Sequence, residues 1–192
     1  DFSEIIIIDS FSSDRTIDIC KKYTANVFQE EWKGYAQQKQ KGIDRASMPW
    51  ILILDADERL TPELKSEISM ALNDKRHSGF YIPRKNFFLG RWIRHGGWWP
   101  DYTLRLFRKD MSYVEEREVH EKVVVKGSTG YLKNSMEHYT SRTISDFLKK
   151  LEDYSTLSAQ EIGTKGIKPG ILSLTVRPFF TFSKMFFLRL GF

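Results

Sequence analysis

Apolar residues in the first part of the chain alternate between short unbroken runs and segments with helical spacing. Residues 5–8 and 50–54 are unbroken apolar runs that predict buried strands, and residues 26–29 predict another strand between them. A helix is predicted over residues 33–46. Strands that alternate with amphipathic helices are typical of βαβ units. The pattern therefore predicts an α/β fold with a mostly parallel central sheet flanked by helices.

Capping residues mark the predicted helix starts. Asp14 precedes one helix, and Thr61 followed by Pro62 begins another with Leu64, Ile68, Ala71 and Leu72 on one face. Thr143 and Asp146 resemble a capping box with Asp in place of Glu. The apolar positions after that box predict a helix that packs on the sheet.

The pattern changes after Ser78 to strands and long loops. Strands are predicted over residues 79–83, 103–107 and 122–126, separated by segments rich in aromatic residues, glycine and arginine. An open α/β sheet normally begins with a strand and a helix before the strand at residues 5–8. We expect those two elements to precede Asp1 in the full protein.

Residues 163–192 differ from the rest of the chain and are interpreted as an amphipathic tail, after one catalytic domain over residues 1–162. The tail contains five basic residues and no acid, so its own charge equals the net charge of +5 for the whole chain. Its apolar positions follow helical spacing: Val176, Phe179, Phe180, Phe187 and Leu190.

No apolar run in the sequence approaches the ~18 residues that span a bilayer, so the tail is expected to lie in the interface of an anionic membrane. A solvated helix face, or packing of the phenylalanines on the protein's own core, would explain the same pattern. Cys20 is the single cysteine, which excludes an internal disulfide and fits a reducing cytoplasm.

Three carboxylates follow the predicted central strand directly. Asp55, Asp57 and Glu58 stand at its carboxyl end, where open α/β sheets bind ligands. Clustered acids repel one another unless a cation lies among them, and oxygen ligands suit Mg²⁺ or Mn²⁺ bridging to phosphates. An Asp-x-Asp alone is also common in turns and caps, but its position between a buried strand and a helix start favours a binding site.

A second polar loop, residues 9–14, follows the strand at residues 5–8. Asp9 in this loop can bind a ribose or base. A simple turn with Asp14 as a helix cap is the alternative.

These two loops and the segment between them resemble the family-2 glycosyltransferases of the GT-A fold. In that family, a strand ends in Asp-x-x-Ser-x-Asp-x-Thr, a helix carries a basic residue, and an apolar strand ends in Asp-Ala-Asp. The matching positions are residues 9–16, Lys39 and residues 51–57. The chain departs from the family at Phe11, Arg15 and Gln40, where glycine, glycine and asparagine are usual.

Later segments are similar to a bacterial branch of the family, the β-1,4-glucosyltransferases that build lipopolysaccharide cores. They are residues 88–98, 100–102, 104–108 and 119–121. The resemblance implies an inverting enzyme that moves a hexose, glucose, from a nucleotide-diphosphate sugar to a lipopolysaccharide core or another lipid-linked saccharide. The basic, aromatic tail is expected to dock the enzyme on the cytoplasmic face of the inner membrane.

The resemblance also implies roles for individual residues on the donor side. Asp9 and Asp55 would hold the nucleoside, and Lys39 would contact the base or phosphate. Asp57 would bind Mg²⁺ or Mn²⁺ with His138 as a late ligand, although a lone histidine before a helix is more often structural.

The general base that accepts the acceptor's proton has two candidates. Glu121 lies where the wider fold usually carries its catalytic acid, and we favour it. Asp101 is the rival, although pairing with Arg105 or Arg108 would also explain this residue.

The segment from Arg84 to Arg108 combines arginines with aromatic residues, which suits a phosphorylated saccharide. Nucleic-acid binding uses the same residue types, but the Asp-Ala-Asp loop argues against a nucleic-acid partner. The acceptor-binding candidates are Arg91, Arg94, Trp98, Trp99 and Arg105.

Two other functional classes stay open at the level of sequence. A nucleotidyltransferase also binds nucleotide and metal on an α/β sheet, and it should carry a glycine-rich basic loop after its first strand. The other is a non-catalytic saccharide-binding module, which would not hydrolyse a sugar nucleotide in the presence of Mn²⁺.

Overall fold

The computed structural model describes residues 2–115, 122–141, 143–166 and 170–191, and the chain forms two compact units. The first unit comprises Asp1–Ile53, Lys75–Phe80 and Leu104–Gly130. The second comprises Leu54–Asp74, Tyr81–Thr103 and Tyr131–Phe192.

The strands and helices of the described residues alternate over the first part of the chain, as the sequence pattern predicts. The strands are β1 (Ile7–Asp9), β2 (Val27–Gln29), β3 (Trp50–Leu52), β4 (Glu58–Leu60), β5 (Gly79–Phe88), β6 (Arg91–Trp92), β7 (Asp101–Arg108), β8 (Ser112–Glu115), β9 (Lys122–Val125), β10 (Thr129–Tyr131) and β11 (Met136–Ser141). The helices are α1 (Thr16–Cys20), α2 (Tyr35–Arg45), α3 (Pro62–Ala71), α4 (Ile144–Thr164) and α5 (Ile171–Ser183), with a π-helical segment over Lys184–Leu188 and a 3-10 turn over Lys109–Met111.

Parallel and antiparallel pairs both occur in the sheets. β1 pairs in parallel with β2, and a larger sheet has the order β3-β7-β5-β11-β4. In that sheet β11 is parallel to β5 but antiparallel to β4, and β3 is antiparallel to β7. The sheet that the sequence predicts as mostly parallel is therefore mixed.

A tight hairpin joins β5 to β6 and was not predicted from the sequence. Leu89 and Gly90 connect the strands with φ values of 50° and 78°. A two-residue turn with both φ values positive matches the right-handed twist of the strands that it joins. The turn leads the chain from β5 into residues 91–100, which include Trp92, Trp98 and Trp99 and are called the aromatic segment below.

Each unit has buried apolar residues of its own. In the first unit Ile43, Phe107 and Val123 form a buried cluster against which Ile51 and Ile53 pack. In the second unit Leu64, Ile82 and Met136 are fully buried. Leu64, Ile68 and Ala71 form the buried face of α3, as predicted, whereas Leu72 is exposed just beyond the helix end.

Two predicted helix caps are confirmed. The Leu64 N–H donates to the Thr61 hydroxyl at 3.2 Å. The Thr143 N–H donates to the Asp146 carboxylate at 3.1 Å, and the Asp146 N–H donates to the Thr143 hydroxyl at 3.0 Å. Both caps use the side chains that the sequence indicated.

The packing of α4 on the sheet is confirmed only in part. Phe147 packs edge-on against Phe88, with ring centroids 5.1 Å apart. Ile144, Leu148 and Leu151 follow the same helical spacing, but each is more than half exposed. Helical spacing identifies the apolar face without showing what covers it.

The C-terminal helix is longer and more apolar than expected from the sequence pattern. Residues Ile171–Leu188 form one candidate membrane span of 18 residues with a mean hydropathy of 1.3, and none of it is buried. The prediction that no apolar run approaches this length is therefore wrong, because this segment has the length and the composition of a membrane-spanning helix. Arg177 and Lys184 are the two charges that interrupt it.

Candidate active site

The Asp-Ala-Asp loop is a closed turn between β3 and β4. The Asp55 N–H donates to the Glu58 carboxylate at 2.9 Å, and the Glu58 N–H donates to the Asp55 carbonyl at 3.0 Å. The Asp57 carbonyl accepts a hydrogen bond from the Tyr139 N–H at 2.9 Å, which holds the loop beside β11. Glu58 is thus a buried support of the turn, and the Asp57 side chain is left 35% exposed.

Two basic side chains approach the Asp57 carboxylate. His138 Nε2 lies 3.4 Å from Asp57 Oδ2, and Lys150 Nζ lies 3.6 Å from the same oxygen. Burial acts to raise the pKa of Asp57, but the hydrogen bond and charge of His138 and the charge of Lys150 outweigh burial and lower this pKa below its usual value. Asp57 is therefore ionised at neutral pH.

Asn86 connects His138 to the aromatic segment. Its Oδ1 lies 2.6 Å from His138 Nδ1. Its Nδ2 donates to Asp101 Oδ2 at 3.0 Å and to the Trp98 carbonyl at 3.2 Å. Asn86 is only 6% exposed. Both the oxygen and the nitrogen of this buried amide therefore have a partner, as a buried polar group requires.

Asp101 is paired with Arg84, which corrects the expected pairing with Arg105 or Arg108. Arg84 Nη2 and Nε lie 2.7 and 3.0 Å from Asp101 Oδ2. Arg84 Nη1 also lies 3.4 Å from Glu58 Oε1. Arg108 instead bonds Asp110. A polar network in the second unit thus runs from the Asp57 loop to Asp101.

The acceptor-binding candidates differ in accessibility. Arg91 and Arg94 are both exposed, and the Arg94 guanidinium lies 4.4 Å from the Trp92 ring centroid. Trp98 and Trp99 are partly exposed in the same segment. Arg105 is only 6% exposed, so little of its side chain is available to a saccharide.

The donor-site candidates Asp9 and Lys39 belong to the first unit. Asp9 is buried, and its carboxylate accepts hydrogen bonds from the N–H and hydroxyl of Ser12. Burial acts to raise the pKa of Asp9, but hydrogen bonds from Ser12, Gln29 and Phe11 lower it below its usual value. Lys39 lies partly exposed on α2. The polar loop after β1 is therefore an Asx-type turn built on Asp9.

One base candidate, Glu121, lies outside the described residues. The same is true of His120.

The comparisons with known proteins decide the family. The family model described as "Glycosyl transferase family 2" matches residues 1–140 of the chain. The chain belongs to glycosyltransferase family 2. It is 30% identical over 199 residues to the lipopolysaccharide core biosynthesis glycosyltransferase LpsC of Rhizobium meliloti strain 1021, a match that covers 96% of this chain and 72% of the relative.

Further matches agree with that assignment. An uncharacterized glycosyltransferase of Rickettsia bellii strain RML369-C is 28% identical over 200 residues, covering 97% of this chain and 67% of the relative. The solved structure of TarS residues 1–349 from S. aureus matches with a TM-score of 0.50 and 15% identity. That match covers 80% of this chain and 55% of TarS, and it supports the predicted GT-A fold.

The family resemblance implies a divalent cation, and the geometry fits one in part. Adjacent ligands at about 2.1 Å from one Mg²⁺ lie about 3 Å apart, close to the 3.4 Å between Asp57 Oδ2 and His138 Nε2. Among the described residues no group of three His, Cys, Asp or Glu side chains is placed to hold a metal. Mg²⁺ commonly takes its remaining ligands from water and substrate phosphates. Asp57 and His138 therefore fit two protein positions of such a site.

Three polar residues of this glycosyltransferase network were not predicted from the sequence as site residues. Arg84 and Asn86 stand two apart on β5, so they lie on the same face of the strand, and a period-two reading would have indicated them. Lys150 is one of two adjacent exposed lysines on α4, and its sequence context carries no signal that distinguishes it.

Proposed function

We propose that this glycosyltransferase moves a hexose, glucose, from a nucleotide-diphosphate sugar to a lipopolysaccharide-core or other lipid-linked saccharide, with inversion. The name of the LpsC relative and the solved complex of TarS with UDP support the substrate classes. The observation that carries the proposal is the polar network from Asp57 through His138 and Asn86 to Asp101. It joins a carboxylate suited to a metal-bound diphosphate with an aromatic, arginine-rich segment suited to a saccharide.

On the donor side, Asp57 and His138 would hold Mg²⁺ or Mn²⁺. The ion would stabilise the charge that develops on the leaving diphosphate. Asp55, Asp9 and Lys39 would contact the nucleoside and phosphate. The hydrogen bond between the Asp55 N–H and the Glu58 carboxylate closes the turn that carries Asp57.

On the acceptor side, Glu121 would accept the proton of the attacking hydroxyl. Asp101 Oδ2 receives hydrogen bonds from Arg84 and Asn86, which accounts for this carboxylate as a structural group of the network. We therefore favour Glu121 as the base and Asp101 as an anchor of the aromatic segment. The acceptor would be contacted through ring stacking and phosphate pairing by Arg91, Arg94, Trp98 and Trp99.

The glycosyltransferase family assignment also bears on the alternatives. A nucleotidyltransferase belongs to another family, and the match over residues 1–140 favours a transferase of sugars. A non-catalytic saccharide-binding module has no need of a donor site. Hydrolysis of sugar nucleotides in the presence of Mn²⁺ therefore separates an enzyme from such a module.

Replacing Lys150 with methionine is expected to weaken sugar-nucleotide binding about 10-fold, because the donor's diphosphate would lose a charged hydrogen-bond partner beside Asp57. Titration calorimetry with UDP-glucose and Mn²⁺ measures the affinity. Lys149→Met, on the neighbouring exposed position of α4, is the matched control and should bind as the wild type does.

Different outcomes would refute the role of Lys150 and the proposed function. Equal affinity in Lys150→Met and wild type would refute the role of Lys150. No binding of any nucleotide-diphosphate sugar by the wild type would refute the proposed function itself.

We further propose that the tail binds the anionic cytoplasmic face of the inner membrane as an interfacial helix. Phe179, Phe180 and Phe187 are more than 60% exposed. Arg177 and Lys184 stand seven residues apart and so share one face of the helix. Anionic lipid attracts each such cation with about 1 kcal/mol near the surface.

Vesicle co-sedimentation tests the proposed binding of the tail to an anionic membrane. Wild type should sediment with vesicles that contain an anionic lipid and should be released by high salt, whereas Arg177→Glu with Lys184→Glu should lose most of this binding. Sedimentation that persists in the charge-reversed variant and resists alkaline extraction would mean that residues Ile171–Leu188 cross the bilayer instead.

A further inference from the structure

A cavity of about 530 Å³ lies between the aromatic segment and the end of the tail, which both belong to the second unit. Ligand pockets typically have volumes of ~300–1,000 Å³. Among the described residues, no acidic side chain lines this cavity. Apolar side chains make up most of the lining, among them Trp92, Trp98, Phe182, Met185, Phe186 and Leu190. The cavity therefore offers a ligand many apolar contacts and few polar ones.

Arg189 holds the end of the tail against the aromatic segment. Its carbonyl accepts a hydrogen bond from the Gly96 N–H at 2.8 Å. Its side chain crosses Gly97 so closely that a β-carbon at this position would collide with the guanidinium. Gly96 and Gly97 have φ values of 65° and 83°, which glycine adopts without strain. Specific contacts of the chain itself thus join the two walls of the cavity.

Two cations lie at the edge of the cavity. Arg94 is part of the lining, and Arg189 lies over Gly97, whose two sequence neighbours line the cavity. Neither arginine forms an ion pair with any residue that the structure describes. Guanidinium groups bind phosphate and carboxylate, and apolar walls favour a hydrocarbon chain over water. The cavity therefore matches an amphiphile that joins an apolar chain to an anionic group.

We propose that this cavity binds a hydrocarbon chain of the lipid-linked acceptor, with Arg94 and Arg189 facing the anionic groups beside that chain. Arg91 and Trp98, proposed above as saccharide contacts, belong to the same segment, so one acceptor would have its chain and its saccharide held side by side. A saccharide inside the cavity would leave most of its hydroxyls without partners on the apolar lining. The assignment of the ligand as the acceptor rests on the proposed function, but binding of an anionic chain does not.

A soluble probe tests the cavity without membranes and without transfer. Dodecyl phosphate with a bromine at the end of its chain, used below its micelle concentration, quenches the fluorescence of any tryptophan that the bromine contacts. Wild type should show saturable quenching, since Trp92 and Trp98 line the cavity. Unbrominated dodecyl phosphate should reverse the quenching, whereas inorganic phosphate should not. An absence of saturable quenching, or full reversal by inorganic phosphate, would overturn the proposal.

Two variants give the tail the same new charge, but only one of them places this charge in the cavity. Met185→Glu should weaken binding of dodecyl phosphate about 10-fold or more, because its carboxylate would stand among apolar groups. Leu174→Glu is the matched control, since Leu174 is 61% exposed on α5 and does not line the cavity. It should bind the probe as the wild type does. Equal affinity of the two variants for the probe would refute the proposed site.

Melting temperatures show whether each variant folds. Met185 is itself exposed, so its replacement is expected to cost little stability. If Met185→Glu does not fold, Met185→Gln, which has a similar length but a polar end, takes its place and should also weaken binding of the probe.

The KM for the acceptor connects the cavity to transfer. Met185→Glu should raise the KM for a lipopolysaccharide-core acceptor that keeps its lipid chains about 10-fold, and it should leave the KM for the same saccharide without lipid unchanged. Leu174→Glu accounts for any effect that acts through membrane binding of the tail. The same ratio of the two KM values in both variants would refute the role of the cavity in acceptor binding. A wild type that binds the probe but transfers sugar to neither acceptor would refute the proposed function and leave the chain-binding cavity in place.

Discussion

Replacement of Asp57 with alanine is expected to reduce sugar transfer about 10³-fold while the protein keeps its fold. A bound cation stabilises the leaving diphosphate by several kcal/mol, and each ~1.4 kcal/mol corresponds to a factor of 10 in rate. The Asp57 side chain is partly exposed, and the residue contributes its carbonyl, not its carboxylate, to the contact with Tyr139. Its removal therefore costs little of the core. Initial rates at saturating donor with Mn²⁺ measure the loss.

Asp153→Ala is the matched control, since Asp153 is an exposed acid on α4 in the same unit. It should keep the wild-type rate. A transfer rate for Asp57→Ala within a few-fold of wild type, with Mn²⁺ present and the donor saturating, would be incompatible with the role proposed for Asp57.

Glu121→Gln is expected to leave donor binding unchanged and to lower the rate of transfer about 10²-fold or more, the usual scale for loss of a general base. The amide is nearly the same size as the carboxylate but cannot accept the hydroxyl proton. Calorimetry with the donor and single-turnover transfer rates measure the two effects separately.

Asp101→Asn is the comparison for Glu121→Gln. The new side-chain amide would still accept a hydrogen bond from Arg84 but would lose the charge of the ion pair, so the expected effect is mainly a higher KM for the acceptor. If Asp101→Asn abolishes turnover while Glu121→Gln stays active, the two roles must be exchanged.

The sequence predicted best those features that depend on neighbouring residues. The Thr61 and Thr143 caps and the strand before Asp55 are local patterns, and the structure contains all three. The pairing of Asp57 with His138 is long-range in sequence. Only the family resemblance indicated it, because neither spacing nor composition relates a loop after β3 to a residue in β11.

The sequence predicted less well what depends on tertiary contacts. Asp101 has arginines on its own strand, yet it pairs with Arg84 from β5 because strand order, not sequence distance, decides which side chains meet. The exposure of Leu148 and Leu151 follows the same logic, since apolar spacing shows a face but not its partner.

The most direct test is transfer itself. The full protein would be incubated with Mn²⁺, a panel of UDP-, GDP- and ADP-sugars and lipopolysaccharide-core acceptors of increasing length, with products read by mass spectrometry. We predict an acceptor heavier by one hexose, formed from one glucose donor and inverted at the anomeric carbon by NMR. A protein that binds the donors and acceptors but forms no glycosidic product with any pair would contradict the account.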